Sequence, residues 1–411
     1  MRIVLFAAAA VCLSGCATLT TMDLDRDDSG ARSYEHSHDL KAAVDSLAEP
    51  VLASGETPGI LVGVLTPDGQ TRYFSYGVAD KDTGAPIGPD TLFQVGSISK
   101  GFLSDLVAVL VDRGVLHWDD TLEELLPPGT PLSPDARKIT LLQLATHTSG
   151  LPREPMVFQT FEYLVQYTFT GKNFYRHFTA AFALDYLKDF EAPQDREMRY
   201  SNIGYGILGY VVEIKTGHTL DELMARYITS PLGLYSTGYE PQLLPGYAER
   251  AHGYTGDQPF FKARGSPTPD MQFTELMKGS AALYSDARDL LSYAAANLED
   301  DGDRLTHVMQ QNLKPQMVGT EDVPTMGWFV DDIDGEEITY QQGLVAGYSS
   351  YLGLDRRHHT AVVVLQNSFN WHYRIGHPLL LRLAKAADLN TSPAAVPARP
   401  RGAAPSLGKN P

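Results

Sequence analysis

Hydrophobic residues recur along this chain in a few distinct rhythms. Leu40, Val44, Leu47 and Val51 share one helical face and predict an amphipathic helix. An apolar run from Ile60 to Leu65, the turn signal Pro67-Asp68-Gly69 and a second run from Tyr73 to Val78 predict a β-hairpin. From about residue 102 to 300 the period is mostly helical, interrupted by loops rich in proline and glycine. Further short runs at Thr325 to Val330, Tyr348 to Leu354 and Ala361 to Leu365 predict strands. A closing helix follows, with Leu379, Leu380, Leu383 and Ala387 on its apolar side. Strands near both ends with helices between them predict an α+β fold. The sheet is antiparallel, built from both chain ends, flanked by helices and interrupted by a large, mainly helical insertion. No repeat of fixed period is visible.

The two ends follow neither rhythm. Met1-Arg2 precedes an apolar stretch from Ile3 to Leu13, which is too short to span a bilayer and reads as a secretory signal. Leu13-Ser14-Gly15-Cys16 resembles the bacterial lipobox; an ordinary signal cleaved elsewhere is the alternative. Residues 1–15 are therefore expected to be a lipoprotein signal peptide, with Cys16 lipidated. Residues 16–37, with Asp23, Asp25, Asp27 and Asp28, are expected to form a tether, and residues 38–390 the folded domain. Ala17 stands where the inner-membrane retention signal has Asp, so the expected location is the cell envelope, facing the periplasm, on the outer rather than the inner membrane. The 21 residues from Thr391 hold five prolines and three basic residues without an acid, as a disordered tail would.

Composition narrows the function. Of 411 residues 43% are apolar, and 33 basic residues oppose 50 acidic ones, giving a formal charge of −17. That is an acidic globular chain, for which nucleic acid is not the expected partner. Cleavage before Cys16 would also remove Cys12, leaving no thiol for a disulfide, a cysteine nucleophile or a thiolate metal site. The 12 histidines show no H-E-x-x-H. His36 with His38, and the pair His358-His359, lack partners at metal spacing. There is no phosphate-binding loop, no dinucleotide fingerprint and no G-x-S-x-G elbow. No cofactor or metal is expected.

Three segments carry candidate chemistry. Ser97-Ile98-Ser99-Lys100 opens the apolar helix containing Leu106, Val109 and Leu110, and residues three apart share a helix face, so Lys100 can reach the Ser97 hydroxyl. An amine that gives up its charge there could take the serine proton. Tyr200-Ser201-Asn202 supplies a phenol that can relay protons and an amide that can hold a carbonyl. A small-residue strand bearing a cation should complete the set. Lys215-Thr216-Gly217 spells such a motif, but Ile207, Leu208, Val211 and Val212 run a helix into it, so Gly217 reads as a helix C-cap. The better candidate is the Gly-rich stretch Gln341-Gln342-Gly343-Leu344-Val345-Ala346-Gly347 ahead of the predicted strand pair.

Together these segments resemble the serine β-lactamase and penicillin-binding DD-peptidase superfamily, in its class C-like branch, which includes esterases. Leu144-Ala145-Thr146-His147-Thr148-Ser149-Gly150-Leu151-Pro152, Pro231-Leu232-Gly233-Leu234 and Gly279-Ser280-Ala281-Ala282-Leu283-Tyr284-Ser285 extend the resemblance over residues 40–388. It implies Ser97 as acyl-forming nucleophile, Lys100 as its proton partner, Tyr200 as general base and acid, and Asn202 as a substrate-binding amide. Gln341, Gly343 and Leu344 would line the substrate strand, the backbone N–H groups of Ser97 and Leu344 forming an oxyanion hole. His147 is expected to be a structural turn residue.

Gln341 departs from the pattern, since relatives carry Lys or His there to bind a substrate carboxylate. A neutral amide forms the weaker, uncharged hydrogen bond, although Arg153 could compensate. The expected substrate is accordingly a carboxylic ester first, then a D-amino-acid or cell-wall peptide, with a β-lactam last. A non-catalytic envelope scaffold on the same fold is the alternative from another class. Eight aromatics between Phe158 and Phe178 could form an acyl-binding wall or the core of the helical insertion.

Overall fold

The computed structural model describes residues 28–391 except 156, 196, 300–301, 315–324, 334 and 373. Cys16, the signal segment and the tail from residue 392 lie outside the described residues. The main sheet is built from β1 (Gly59–Leu65), β2 (Thr71–Gly77), β5 (Phe329–Ile333), β6 (Glu336–Val345), β7 (Tyr348–Asp355) and β8 (Thr360–Gln366). These six antiparallel strands lie in the order β2-β1-β8-β7-β6-β5. A separate two-residue pair joins β3 (Phe93–Gln94) to β4 (Tyr284–Ser285).

The uninterrupted apolar spelling of β1 and β8 follows from burial on both faces. Successive side chains point to opposite sides of a strand. Leu61 and Leu65 of β1, and Ala361, Val363 and Leu365 of β8, enter the large core shared with the helical region. Ile60, Val62 and Val64, with Val362 and Val364, meet a second core under the terminal helices. Helix Leu40–Ala53 supplies Val44, Ala48 and Val51 to that second core, and helix Gly376–Thr391 supplies Leu379, Leu380 and Leu383. The result is three layers, with an α+β architecture as expected.

Three local expectations need correction. The described end of the proposed tether is a helix, Asp28–Ser37, which packs on the closing helix with Ala31 buried. The strand expected from Thr325 starts at Phe329, because Gly327 adopts φ +79° in a turn. Ahead of Gln341, β6 begins already at Glu336. Two glutamates hide that start, although Ile338 and Tyr340 alternate into the terminal-helix core. Gly217 does end helix Asn202–Thr216 in the left-handed conformation, so Lys215 is no strand residue.

Helix Ser99–Asp112 crosses the large core and is buried at every position from Ser99 to Leu110. A helix buried all round needs apolar residues on all sides, which accounts for Phe102, Leu103, Leu106, Val107 and Leu110. Its polar members are therefore either paired or functional. The turn Gly96–Ile98 that leads into it abuts β6 and β7, and this contact places the site.

Candidate active site

Ser97 lies in the single turn Gly96–Ile98 that leads into this helix. Gly96 holds φ +56°, and a Cβ on it would lie 2.9 Å from the Leu344 nitrogen. A Cβ on Gly343 would fall 1.9 Å from the Val95 carbonyl oxygen. Both positions require glycine for the backbones of Gly96-Ser97 and Gly343-Leu344 to meet. Leu344 and Ser97 line the same cleft.

Lys100 is 1% exposed, and its Nζ donates to Ser97 Oγ at 3.0 Å, Asn202 Oδ1 at 2.9 Å and the Ser280 carbonyl at 2.7 Å. Three acceptors match the three donors of an ammonium. The Asn202 and Ser280 oxygens take two of its N–H donors, and Ser97 Oγ can accept from an ammonium or donate to an amine at this distance. Tyr200 Oη donates to Ser97 Oγ at 2.8 Å, and once ionised to phenolate the same oxygen is within reach to accept the serine proton. The Lys100 nitrogen lies 4.9 Å from the Tyr200 ring centroid and the Arg153 guanidinium 5.1 Å from it, so two cations face one phenol.

Local hydrogen bonds hold Tyr200 and Asn202 in position. Ser201 caps helix Asn202–Thr216, its Oγ accepting from Gly204 N–H at 2.9 Å and donating to the Pro152 carbonyl at 2.8 Å. Asn202 and Ile203 N–H donate to the Arg153 carbonyl at 3.0 and 3.2 Å. His147, at φ +60°, is a turn residue as expected, and it also braces the tyrosine. Its carbonyl accepts from Arg199 N–H at 2.8 Å, its Nδ1 accepts from Ser201 N–H at 3.0 Å, and its ring packs 4.5 Å from Tyr200. Burial holds the His147 imidazole well below its usual range, reinforced by Lys100 and Arg153, so it stays neutral.

Glu154 is the chief site residue absent from the sequence-level candidates. It is 4% exposed, and its Oε1 accepts from Asn202 Nδ2 at 2.6 Å and from Tyr175 Oη at 2.8 Å. Arg153 Nε stands 3.8 Å from its other oxygen. Burial, then the Glu154 charge, pushes the Tyr175 phenol well up, so it remains a donor. The Asn202 amide is thus engaged at both ends, by Lys100 and by Glu154. Glu154 lies two residues past Pro152 of the Leu144–Pro152 motif, and Ser280 lies inside the Gly279–Ser285 motif; the signals were present without a role attached.

Gln341 does not occupy the expected place. It is 2% exposed, its Nε2 donates to the Gly327 carbonyl at 3.0 Å, and it packs against Gly101, where a Cβ would lie 1.8 Å from Nε2. Gln341 is packed inward, and Gly343 serves close backbone approach. The cavity of about 100 Å³ beside Ser97 is walled by Leu164, Tyr167, Phe174, Phe273, Phe369 and Trp371, with Phe260 at its edge half exposed. Both readings of the aromatic segment therefore hold in part. Phe178 is core, Tyr167 and Phe174 serve core and cleft together, and Phe158 and Phe169 are exposed.

Comparison with known proteins fits this geometry. The β-lactamase family profile matches residues 44–386. A β-lactamase of Pseudomonas fluorescens is 32% identical over 202 residues, 48% of this chain and 51% of the relative, so that match spans about half the relative's length. Penicillin-binding protein 4 of Amycolatopsis lactamdurans is 29% identical over 72% of this chain and 77% of its own. The D-alanyl-D-alanine-carboxypeptidase/endopeptidase AmpH of Escherichia coli K12 is 25% identical over 76% and 80%. In fold, a class C β-lactamase from Rhodobacter sphaeroides superposes with TM-score 0.67 at 23% identity, covering 86% of this chain and 99% of its own. The chain belongs to the β-lactamase family, a serine-hydrolase family within the serine β-lactamase and DD-peptidase superfamily.

Proposed function

We propose that the protein is a serine acyl hydrolase whose preferred substrate is a neutral carboxylic ester. One observation carries this reading: Ser97 Oγ lies within hydrogen-bond reach of both Lys100 Nζ and Tyr200 Oη at the floor of an aromatic-walled cleft. Ser97 Oγ attacks the ester carbonyl carbon, and its proton passes to the ionised Tyr200 oxygen while charged Lys100 steadies the developing anion. Tyr200 returns that proton to the departing alkoxide. Water then attacks the acyl-enzyme, giving one proton to Tyr200, which passes it to Ser97 Oγ as the acyl–oxygen bond breaks and the free acid departs. The neutral-ester preference is supported by the inward packing of uncharged Gln341 and by the apolar walls.

A second reading, cleavage of a β-lactam or a D-alanyl peptide, is favoured by the names of the relatives and by Arg153 in the cleft wall, a cation able to meet a carboxylate. Intact mass after exposure to benzylpenicillin separates the two. An unmodified chain and intact drug, beside a p-nitrophenyl ester turnover that Ser97→Ala abolishes, support the ester reading. A penicilloyl adduct on Ser97, or loss of the drug, moves the assignment to the second, and ester turnover surviving Ser97→Ala overturns both. Anchoring through a lipidated Cys16 in the envelope belongs to the same proposal; incorporation of labelled fatty acid, lost in Cys16→Ala, tests it.

A further inference from the structure

We propose that Arg153 is the second cation of the catalytic apparatus, holding the Tyr200 oxygen in its proton-accepting form in place of the charge that the β6 strand lacks at Gln341. This rests on the reading of Ser97 and Tyr200 above and deepens it.

A tyrosine takes a proton from serine only as phenolate, and phenolate is favoured by nearby positive charge. Lys100 faces the Tyr200 ring from the site helix at 4.9 Å, and Arg153 faces it from the loop after Pro152 at 5.1 Å. Among the described residues, His147, held neutral, packs on the ring, the phenols of Tyr175 and Tyr205 lie close enough to feel its charge, and the Glu154 carboxylate stands by Arg153. Phe329 stacks on the ring from β5 at 5.9 Å and brings no charge. Position 341 contributes none either, because its amide points into the Gly101–Gly327 crevice.

Arg153 is also fixed relative to the tyrosine. Its carbonyl receives the N–H groups of Asn202 and Ile203, at the start of the helix that follows Tyr200. The Arg153 backbone is therefore tied to the Tyr200 loop, and its guanidinium stands between the Tyr200 ring and Glu154. Its field extends past the ring: Arg153 and Lys100 together help hold the His147 imidazole, on another side of Tyr200, below its usual range. Glu154, 3.8 Å from the Arg153 Nε, opposes part of this charge and limits the effect to a modest one.

The test reads the serine directly. A neutral fluorophosphonate forms an Oγ–P bond at Ser97 and expels fluoride, and the serine proton goes to Tyr200, so the labelling rate reports on the base. In the full chain, the second-order labelling rate of wild type and Arg153→Met is followed from pH 5 to 9. Arg153→Met is expected to move the acidic limb up by about one pH unit, a loss of about tenfold below the limb that disappears at high pH. Arg153→Lys should return the limb most of the way to its wild-type position. A loss of equal size at every pH, or no change, overturns the proposal, as does a failure of Arg153→Lys to rescue. Absence of labelling in wild type, or labelling that survives in Ser97→Ala, defeats the reading of the site itself. Thermal melting of each variant separates these results from misfolding.

Discussion

Asp105 sits on the site helix five residues beyond Lys100 and is fully buried. Its Oδ2 accepts from Tyr293 Oη at 2.5 Å and its Oδ1 from Asn312 Nδ2 at 2.8 Å, but neither partner carries charge. Burial pushes its carboxyl up from 3.8 to about 7, against the lowering effect of those two hydrogen bonds. The sign follows from linkage. Between about pH 4 and 7 the unfolded chain ionises this group while the folded chain keeps it protonated, so the fold loses stability as pH rises through that window. Each pH unit across the window is worth roughly 1.4 kcal/mol. A window about three pH units wide therefore costs about 4 kcal/mol once the pH exceeds 7. Asp105→Asn removes the charge and keeps an oxygen for Tyr293, while Asn312 can turn its own amide to meet the new one. Relative to wild type, the variant should be little changed or less stable at pH 4 and should gain about 4 kcal/mol on wild type by pH 8. Urea denaturation of both proteins at each pH, at equal ionic strength, reads the difference and cancels the other titrating groups. A difference that stays flat from pH 4 to 8 would refute the assignment of a raised, unpaired carboxyl to this position.

Two site perturbations have equally definite outcomes. Gly343→Ala drives a Cβ to 1.9 Å from the Val95 carbonyl and 2.2 Å from Ser350 Oγ; moving β6 away should cost about 1–3 kcal/mol in a thermal melt and sharply slow Ser97 acylation. Glu154→Ala strips the acceptor from Asn202 Nδ2 and Tyr175 Oη, leaving buried donors unmet at about 1–3 kcal/mol and lowering kcat/KM on an activated ester. Glu154→Gln keeps an oxygen there and should recover most of the stability.

The fold was readable where periodicity and burial agree. The β1 run is apolar because both of its faces are covered, and the closing helix shows the stripe that it lays on the sheet. The start of β6 was obscured because Glu336 and Glu337 break the apolar signal while the backbone still pairs with β5. In the site, Ser97, Lys100, Tyr200 and Asn202 were readable as short spaced motifs, and the structure brings all four together. Glu154 and Tyr175 were not, since a single Glu or Tyr has no pattern. Their meaning arises only when the loop after Pro152 and the turn at Phe174–Tyr175 converge on Asn202.

Gln341 marks the limit of position-by-position reading. Its place ahead of Gly343 suggested a residue facing substrate, but its side chain fills the space that Gly101 leaves empty on the neighbouring helix. The two residues depend on each other: any Cβ at position 101 would strike the amide, and the amide's donor ends on the Gly327 carbonyl. A lysine following the same path would bury an ammonium where the amide now meets one carbonyl, at a desolvation cost of several kcal/mol. Replacing Gln341 alone therefore does not return a strand cation to the cleft without first turning the side chain out of this crevice. A site so built needs its second positive charge from another wall, and Arg153, fixed to the start of the Asn202 helix and facing the Tyr200 ring, is the cation that lines the cleft among the described residues.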